Sequence, residues 1–175
     1  MSTGDQQPAT PLLYLRSFLF WLGFTSLVIF FTTLLLLSFP LPLEKRFRLT
    51  LAWSTTTIWW LRITCNLHYE VQGTENIPKD HAGIILAKHQ STWETLTLNF
   101  WFKKQSWVVK RELLRVPVFG WGMYMMNPIA LDRSAGRKAI DQLVEQGRER
   151  LEQGNWIVIF PEGTRIAPGK KGRYR

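Results

Sequence analysis

The chain has 175 residues, a formal net charge of +9 and a mean hydropathy of −0.08. That length fits one ordinary domain, or a membrane anchor carrying a small domain, and that hydropathy excludes both a polytopic membrane protein and a disordered chain. The single cysteine, Cys65, excludes an internal disulfide and a cysteine-based zinc cluster.

Nine Trp and eleven Phe are many for this length, and Trp favours membrane interfaces, where an apolar ring meets a wet N–H. Five basic and two acidic residues precede Asn66, against 17 basic and 11 acidic from it onward. A basic region behind an apolar one points to an anionic partner. Anionic lipid, a phosphorylated substrate and nucleic acid all satisfy that condition.

In chain order, residues 17–43 carry no charge, and their centre, 18–39, is rich in Leu and Phe. About 20 apolar residues suffice to cross a hydrocarbon core. A cleaved signal peptide has a shorter apolar run and a small-residue cleavage site, which is not evident here. Pro40 and Pro42 break the helix. Glu44, Lys45, Arg46 and Arg48 follow, and the basic excess places this side on the cytoplasmic face, of the inner membrane if the chain is bacterial. Residues 47–65 mix Trp53, Ile58, Trp59 and Trp60 with five Thr, a Ser and two Arg. They read as an interfacial helix bearing aromatic residues. A core helix of the following domain is the alternative. The two stretches can form a helical hairpin, and whether it spans the bilayer or lies in one leaflet is open.

Residues 67–72 alternate and end at Gly73, which predicts a strand. Residues 83–87 predict a short apolar strand, 95–102 a helix, 107–109 a strand and 129–131 another. Residues 112–126 are apolar but broken by Pro117 and two Gly, so their form is open. Ser134 is a plausible N-cap for a helix burying Ala139, Ile140, Leu143, Val144 and Leu151, with Gly154 at its end. Residues 156–160 form a buried strand stopped by Pro161. Alternating strands and helices give an α/β fold with a mostly parallel or mixed sheet flanked by helices, behind an N-terminal apolar helix or hairpin. The expected division is a membrane anchor at 1–65, with an apolar helix near 17–39 and an interfacial helix near 47–65, and an α/β domain at 66–175. Sites in such sheets lie beyond the carboxyl ends of the strands.

Three polar clusters follow predicted strands. In the first, 88–94, His89 and Glu94 are five apart and would not meet on a continuous helix. With His89 at the strand end and Glu94 in the first helical turn they converge, giving a general base with an orienting carboxylate. Ser91-Thr92-Trp93-Glu94 is also a capping box, which explains Glu94 without catalysis. The second cluster is Asp132-Arg133, where Arg133 could hold a phosphate bidentately or simply belong to a solvated turn. The third, Phe160-Pro161-Glu162-Gly163-Thr164-Arg165, offers an acceptor, a hydroxyl and a guanidinium around a glycine that permits close backbone approach. That set could hold a glycerol phosphate, or be a polar turn.

The combination resembles the 1-acylglycerol-3-phosphate acyltransferases of the glycerolipid acyltransferase superfamily. The family's His-x4-acid block is matched by His89 and Glu94, its arginine after a strand by Arg133, and its Phe-Pro-Glu-Gly-Thr-Arg block by residues 160–165 without change. The family usually has Asp where this chain has Glu94, one methylene longer. It also carries a further proline-containing strand after its third block, absent here, so the α/β domain is expected to be incomplete at its C-terminal end.

The resemblance implies transfer of a fatty acyl group from acyl-CoA or acyl carrier protein to the free hydroxyl of 1-acylglycerol 3-phosphate, giving phosphatidic acid. His89 and Glu94 would be the catalytic pair, and Arg133, Glu162, Gly163, Thr164 and Arg165 would bind the acceptor. No cofactor and no metal are expected: His68, His81 and His89 lack metal-ligand spacing. The expected partners are a lysophosphatidate-type acceptor, the thioester donor and a phospholipid membrane, with no nucleic acid. Alternatives are another acceptor, such as glycerol 3-phosphate or a different lysolipid, or a non-enzymatic basic protein tethered to the membrane. Lys170, Lys171, Arg173 and Arg175 favour the last slightly.

Overall fold

A computed structural model describes residues 10–132 and 135–174. Helix α1 (Pro11–Leu37) starts with Thr10, whose side chain accepts from Leu13 N–H, and with Pro11 in the first turn. Proline there loses no hydrogen bond, because the first N–H groups of a helix have no partner anyway. The chain turns through Pro40 and Pro42 into α2 (Leu43–Cys65), and the two helices pack as a hairpin.

Trp60 lies across α1, its indole N–H 3.3 Å from the carbonyls of Leu19 and Phe20. Gly23 makes that possible, since a Cβ there would overlap the indole ring. The window of α1 most suited to a membrane has a mean hydropathy of 2.1 and is only 17% buried.

The polarity of α2 is inverted relative to a helix in water. Ser54, Thr57 and Thr64 are buried beside Ile58, while Leu51, Trp59 and Ile63 face outward with Thr55 and Arg62. Several hydroxyls are satisfied within the helices: Thr55 donates to Leu51 O, Thr56 to Ala52 O and Thr64 to Trp60 O, as Ser26 and Thr33 do in α1. Apolar surroundings demand such internal satisfaction.

The rest alternates as expected. Strand β1 (Ile84–Leu86) is followed by α3 (Trp93–Trp101), β2 (Gln105–Lys110), a 3-10 turn (Arg111–Arg115), α4 (Phe119–Tyr124), β3 (Ile129–Leu131), α5 (Arg137–Glu152) and β4 (Trp156–Ile159). The strands form one parallel sheet in the order β1-β4-β2-β3. Leu86 pairs with Ile159, so β1 and β4 end side by side although 73 positions separate them in sequence. Ile157 and Val158 of the inner strand β4 and Ile129 of the edge strand β3 are almost fully buried.

Residues 67–72 do not form a strand. No neighbour offers them a hydrogen-bonded ladder, and the alternating Leu67, Tyr69 and Val71 all remain exposed. Helix α5 also differs from its expected face. It buries Ala139, Gly147 and Arg150, whereas Ile140 and Val144 are exposed. Ala139 and Arg150, eleven positions apart, point almost the same way, so the buried face centres on them and Ile140 and Val144 lie well round the helix from it. The expected cap Ser134 lies outside the described residues.

Candidate active site

Two of the three polar clusters meet at the carboxyl ends of β1 and β4. The Ala87 N–H donates to Ile159 O at 3.0 Å, continuing the ladder to the point where both chains leave the sheet. Beyond it, the Ile166 N–H donates to His89 O at 2.8 Å, which ties the loop after β4 to the loop after β1.

His89 sits between these loops. Its Nδ1 is 2.7 Å from Glu94 Oε1, with both side chains 16% exposed. A carboxylate at that distance fixes the proton of neutral imidazole on Nδ1 and leaves Nε2 as the acceptor. The imidazole lies flat against Phe160, with ring centroids 4.0 Å apart and an interplanar angle of 14°. Trp107 backs Phe160 at 5.7 Å. Position and tautomer of the ring are therefore held by two different groups.

Glu94 serves as cap and orienter together. Its Oε1 also accepts from the backbone N–H groups of Gln90 at 2.7 Å and Ser91 at 2.8 Å, and its Oε2 accepts from the Ser91 hydroxyl at 2.7 Å. One carboxylate thus makes both the loop-capping bonds and the contact with His89. Burial pushes the Glu94 carboxyl up, but the hydrogen bonds from Ser91 backbone and hydroxyl, with help from His89, outweigh it and hold the group below the usual carboxylate range.

The Phe160–Arg165 block turns at Gly163, whose φ of 66° suits glycine and whose N–H donates to Phe160 O at 2.9 Å. Arg165 is exposed and donates to Thr92 Oγ1 at 3.1 Å, bringing a guanidinium to the first cluster. Thr164 is exposed as well. Glu162 is buried at 3% exposure. Its Oε1 accepts from the Gly172 N–H at 3.3 Å, and its Oε2 has no hydrogen-bond partner among the described residues. A cavity of about 400 Å³ opens there, lined by Glu162, Thr164, Ile166, Arg173 and Tyr174. Arg133 lies outside the described residues, while its neighbour Asp132 is 3.6 Å from Arg111 at the end of β2.

Sequence reasoning missed the stacking role of Phe160 and the link from Thr92 to Arg165. It also treated Arg173 only as part of a basic run, not as a wall of the cavity. Among the described residues, no group of three or more His, Cys, Asp or Glu is arranged to hold a metal ion.

The model of the acyltransferase family matches residues 68–174. The chain belongs to that family. It is 44% identical over 162 residues to the 1-acyl-sn-glycerol-3-phosphate acyltransferase of Pseudomonas aeruginosa, covering 91% of this chain and 63% of that relative. It is 31% identical over 119 residues to the chloroplast 1-acyl-sn-glycerol-3-phosphate acyltransferase LPAT1 of Arabidopsis thaliana, covering 66% of this chain and 33% of the relative. The crystal structure of the 1-acyl-sn-glycerophosphate acyltransferase PlsC from Thermotoga maritima superposes with a TM-score of 0.69 at 26% identity, over 90% of this chain and 63% of that one. The chain thus spans less than two thirds of the length of these relatives. The α/β fold and the parallel sheet expected from the sequence are both present.

Proposed function

We propose that this acyltransferase moves a fatty acyl group from a thioester donor, acyl-CoA or acyl carrier protein, to the free hydroxyl of 1-acylglycerol 3-phosphate. The observation that carries the proposal is the His89–Glu94 contact of 2.7 Å, which leaves Nε2 as a base beside a loop rich in acceptor-binding groups. The names of the relatives support the choice of acceptor.

In the proposed reaction His89 Nε2 takes the proton of the acceptor hydroxyl as that oxygen bonds to the thioester carbonyl carbon. The imidazolium is stabilised by ionised Glu94, and the C–S bond breaks as the tetrahedral intermediate collapses. The thiolate then leaves and takes the proton from His89, restoring the base. Arg165 and Arg133 hold the acceptor phosphate, and Gly163 and Thr164 bring backbone and hydroxyl to the glycerol. The free Oε2 of Glu162 can accept a further hydroxyl. Much of the rate comes from holding both reactants in register.

The inverted polarity of α2 and the outward apolar face of α1 support a membrane position for the hairpin, where a lysolipid acceptor resides. The cytoplasmic placement of the α/β domain rests on the basic residues that follow α1.

An acyl-transfer assay with both donor types and a panel of acceptors tests the proposal, with His89→Ala alongside. Loss of a general base costs about 10²–10⁴-fold in turnover. Near-normal turnover by the His89→Ala enzyme, or a preference for an acceptor without phosphate, would refute it.

A further inference from the structure

Between β2 and β3 the chain makes a lip whose large side chains point outward. Leu113, Val116, Phe119, Trp121 and Tyr124 are all exposed, Trp121 by 51% and Tyr124 by 69%. Val118 presents them. Its φ of 64° and ψ of −67° close a three-residue turn in which the Phe119 N–H reaches Pro117 O at 2.7 Å. That turn is a strained conformation for a β-branched residue. Buried glycines then seat α4. Gly120 lies against the Leu113 and Leu114 carbonyls, where a Cβ would not fit, and a Cβ on Gly122 would come 3.0 Å from Thr32 Oγ1 of α1.

The lip is continuous with the apolar hairpin. Arg46 donates to Met125 O at 3.0 Å and to Phe39 O at 3.3 Å, joining the end of α4 to the end of α1. Phe39, Leu36 and Leu37 are exposed beside that joint. The charges match an anionic surface. Residues 105–128 contain Lys110, Arg111 and Arg115 against one acid, Glu112, with Arg111 also facing Asp132 at 3.6 Å. Aromatic rings next to arginines form the pattern that seats proteins at the headgroup level of a bilayer.

We infer that the 3-10 turn and α4 form a second membrane-contacting element, distinct from the hairpin, which lays Trp121 and Tyr124 into the interface of an anionic phospholipid bilayer. The inference rests on the membrane position proposed for α1.

The test uses the full chain with Cys65→Ser, carrying Trp121→Cys or Tyr124→Cys labelled with an environment-sensitive fluorophore. Val144→Cys on exposed α5 serves as the water-facing control. With vesicles containing phosphatidylglycerol, the probes at 121 and 124 should shift to the blue and lose access to an aqueous quencher, while the probe at 144 should not. Hydrogen exchange on the unlabelled chain provides a second measurement. Peptides covering 113–124 should exchange several-fold more slowly on phosphatidylglycerol vesicles than on neutral ones. If the protein floats with vesicles but these positions remain wet and unprotected, the second contact does not exist. If the protein stays in the aqueous fraction, the membrane position of α1 fails and this inference falls with it.

Discussion

Replacing Glu94 by Gln probes the geometry most directly, because the amide keeps the shape and removes the charge. Three donors converge on Oε1, from His89, Gln90 and Ser91, so the amide should turn its oxygen to that side. The Ser91 hydroxyl can then rotate and accept from the new NH₂. His89 keeps its tautomer, and what is lost is the ionic part of each bond. Hydrogen bonds to charged groups contribute about 1.5–3 kcal/mol against about 0.5–1.5 kcal/mol for neutral ones. For bonds sharing one group, an overall stability loss of about 1–3 kcal/mol follows.

The catalytic loss has its own ceiling. A unit charge pair at ~4 Å is worth about 4 kcal/mol at an effective dielectric of about 20. At about 1.36 kcal/mol per tenfold, kcat should fall about 10²–10³-fold. Glu94→Asp keeps the charge and should cost about tenfold or less, mainly through a longer reach to His89.

The stability term has a defined pH window. Because the folded Glu94 carboxyl titrates below its unfolded value, its contribution is complete above the usual glutamate range. It is lost as pH falls through the lower folded value, so the Tm gap between the parent protein and the Glu94→Gln variant should close in acid. Steady-state transfer assays and thermal melts against pH read both quantities. If Gln proved milder than Asp in kcat while both lowered Tm alike, Glu94 would be only a cap and the His89 pairing would carry no catalytic weight.

Phe160→Leu removes the flat wall behind the imidazole, and an aromatic pair is worth about 0.5–1.5 kcal/mol. Turnover should therefore drop up to about tenfold with little change in either KM; an unchanged kcat would make the stacking incidental. Arg165→Lys should raise the acceptor KM about tenfold and leave the donor KM alone, because an ammonium cannot copy a planar two-pronged contact. Arg133→Lys should act on the same phosphate and combine with it non-additively; a selective rise in donor KM would reverse the placement of the two substrates. Gly23→Val forces Trp60 off α1 and should cost about 1–3 kcal/mol, seen as a lower Tm in detergent and faster proteolysis of the hairpin. An unaltered melt would show that the Trp60 contact does not hold the helices together.

The parts of this molecule legible in the sequence are those encoded locally. The apolar run of β4 and its stop at Pro161, the breaks at Pro40 and Pro42, and the strand–helix alternation each depend on neighbouring residues, and each is found. The candidate site was legible because its two halves are short blocks at strand ends. What stayed hidden depends on distant pairing. Residues 67–72 have the period of a strand but no partner, and a period cannot supply one. Ile140 and Val144 have helical spacing, yet the face of α5 that meets the sheet runs through Ala139 and Arg150, and spacing alone does not say which face the sheet covers. Phe160 looked like the end of a strand, and only the adjacency of β1 and β4 turns it into the surface on which His89 rests.

That adjacency also explains how a hairpin at one end of the chain bears on the site. Glu94 stands in the first turn of α3, and the far end of the same helix is fastened to α2 by Asn99, whose side chain donates to Ser54 Oγ at 2.9 Å. Asn99 also donates to Thr95 O and Leu96 O, so its amide is locked from both sides. Gln105, almost fully buried at the start of β2, donates to Leu98 O and Phe102 O and fastens the same end of α3 to the sheet. A nine-residue helix is too short to be stable on its own in water. Its register, and with it the distance between Glu94 and His89, is therefore set by α2 on one side and β2 on the other. The carboxylate beside His89 therefore takes its position from the helical hairpin as well as from the sheet, and in the proposed membrane-bound state that hairpin would link the lipid phase to the site.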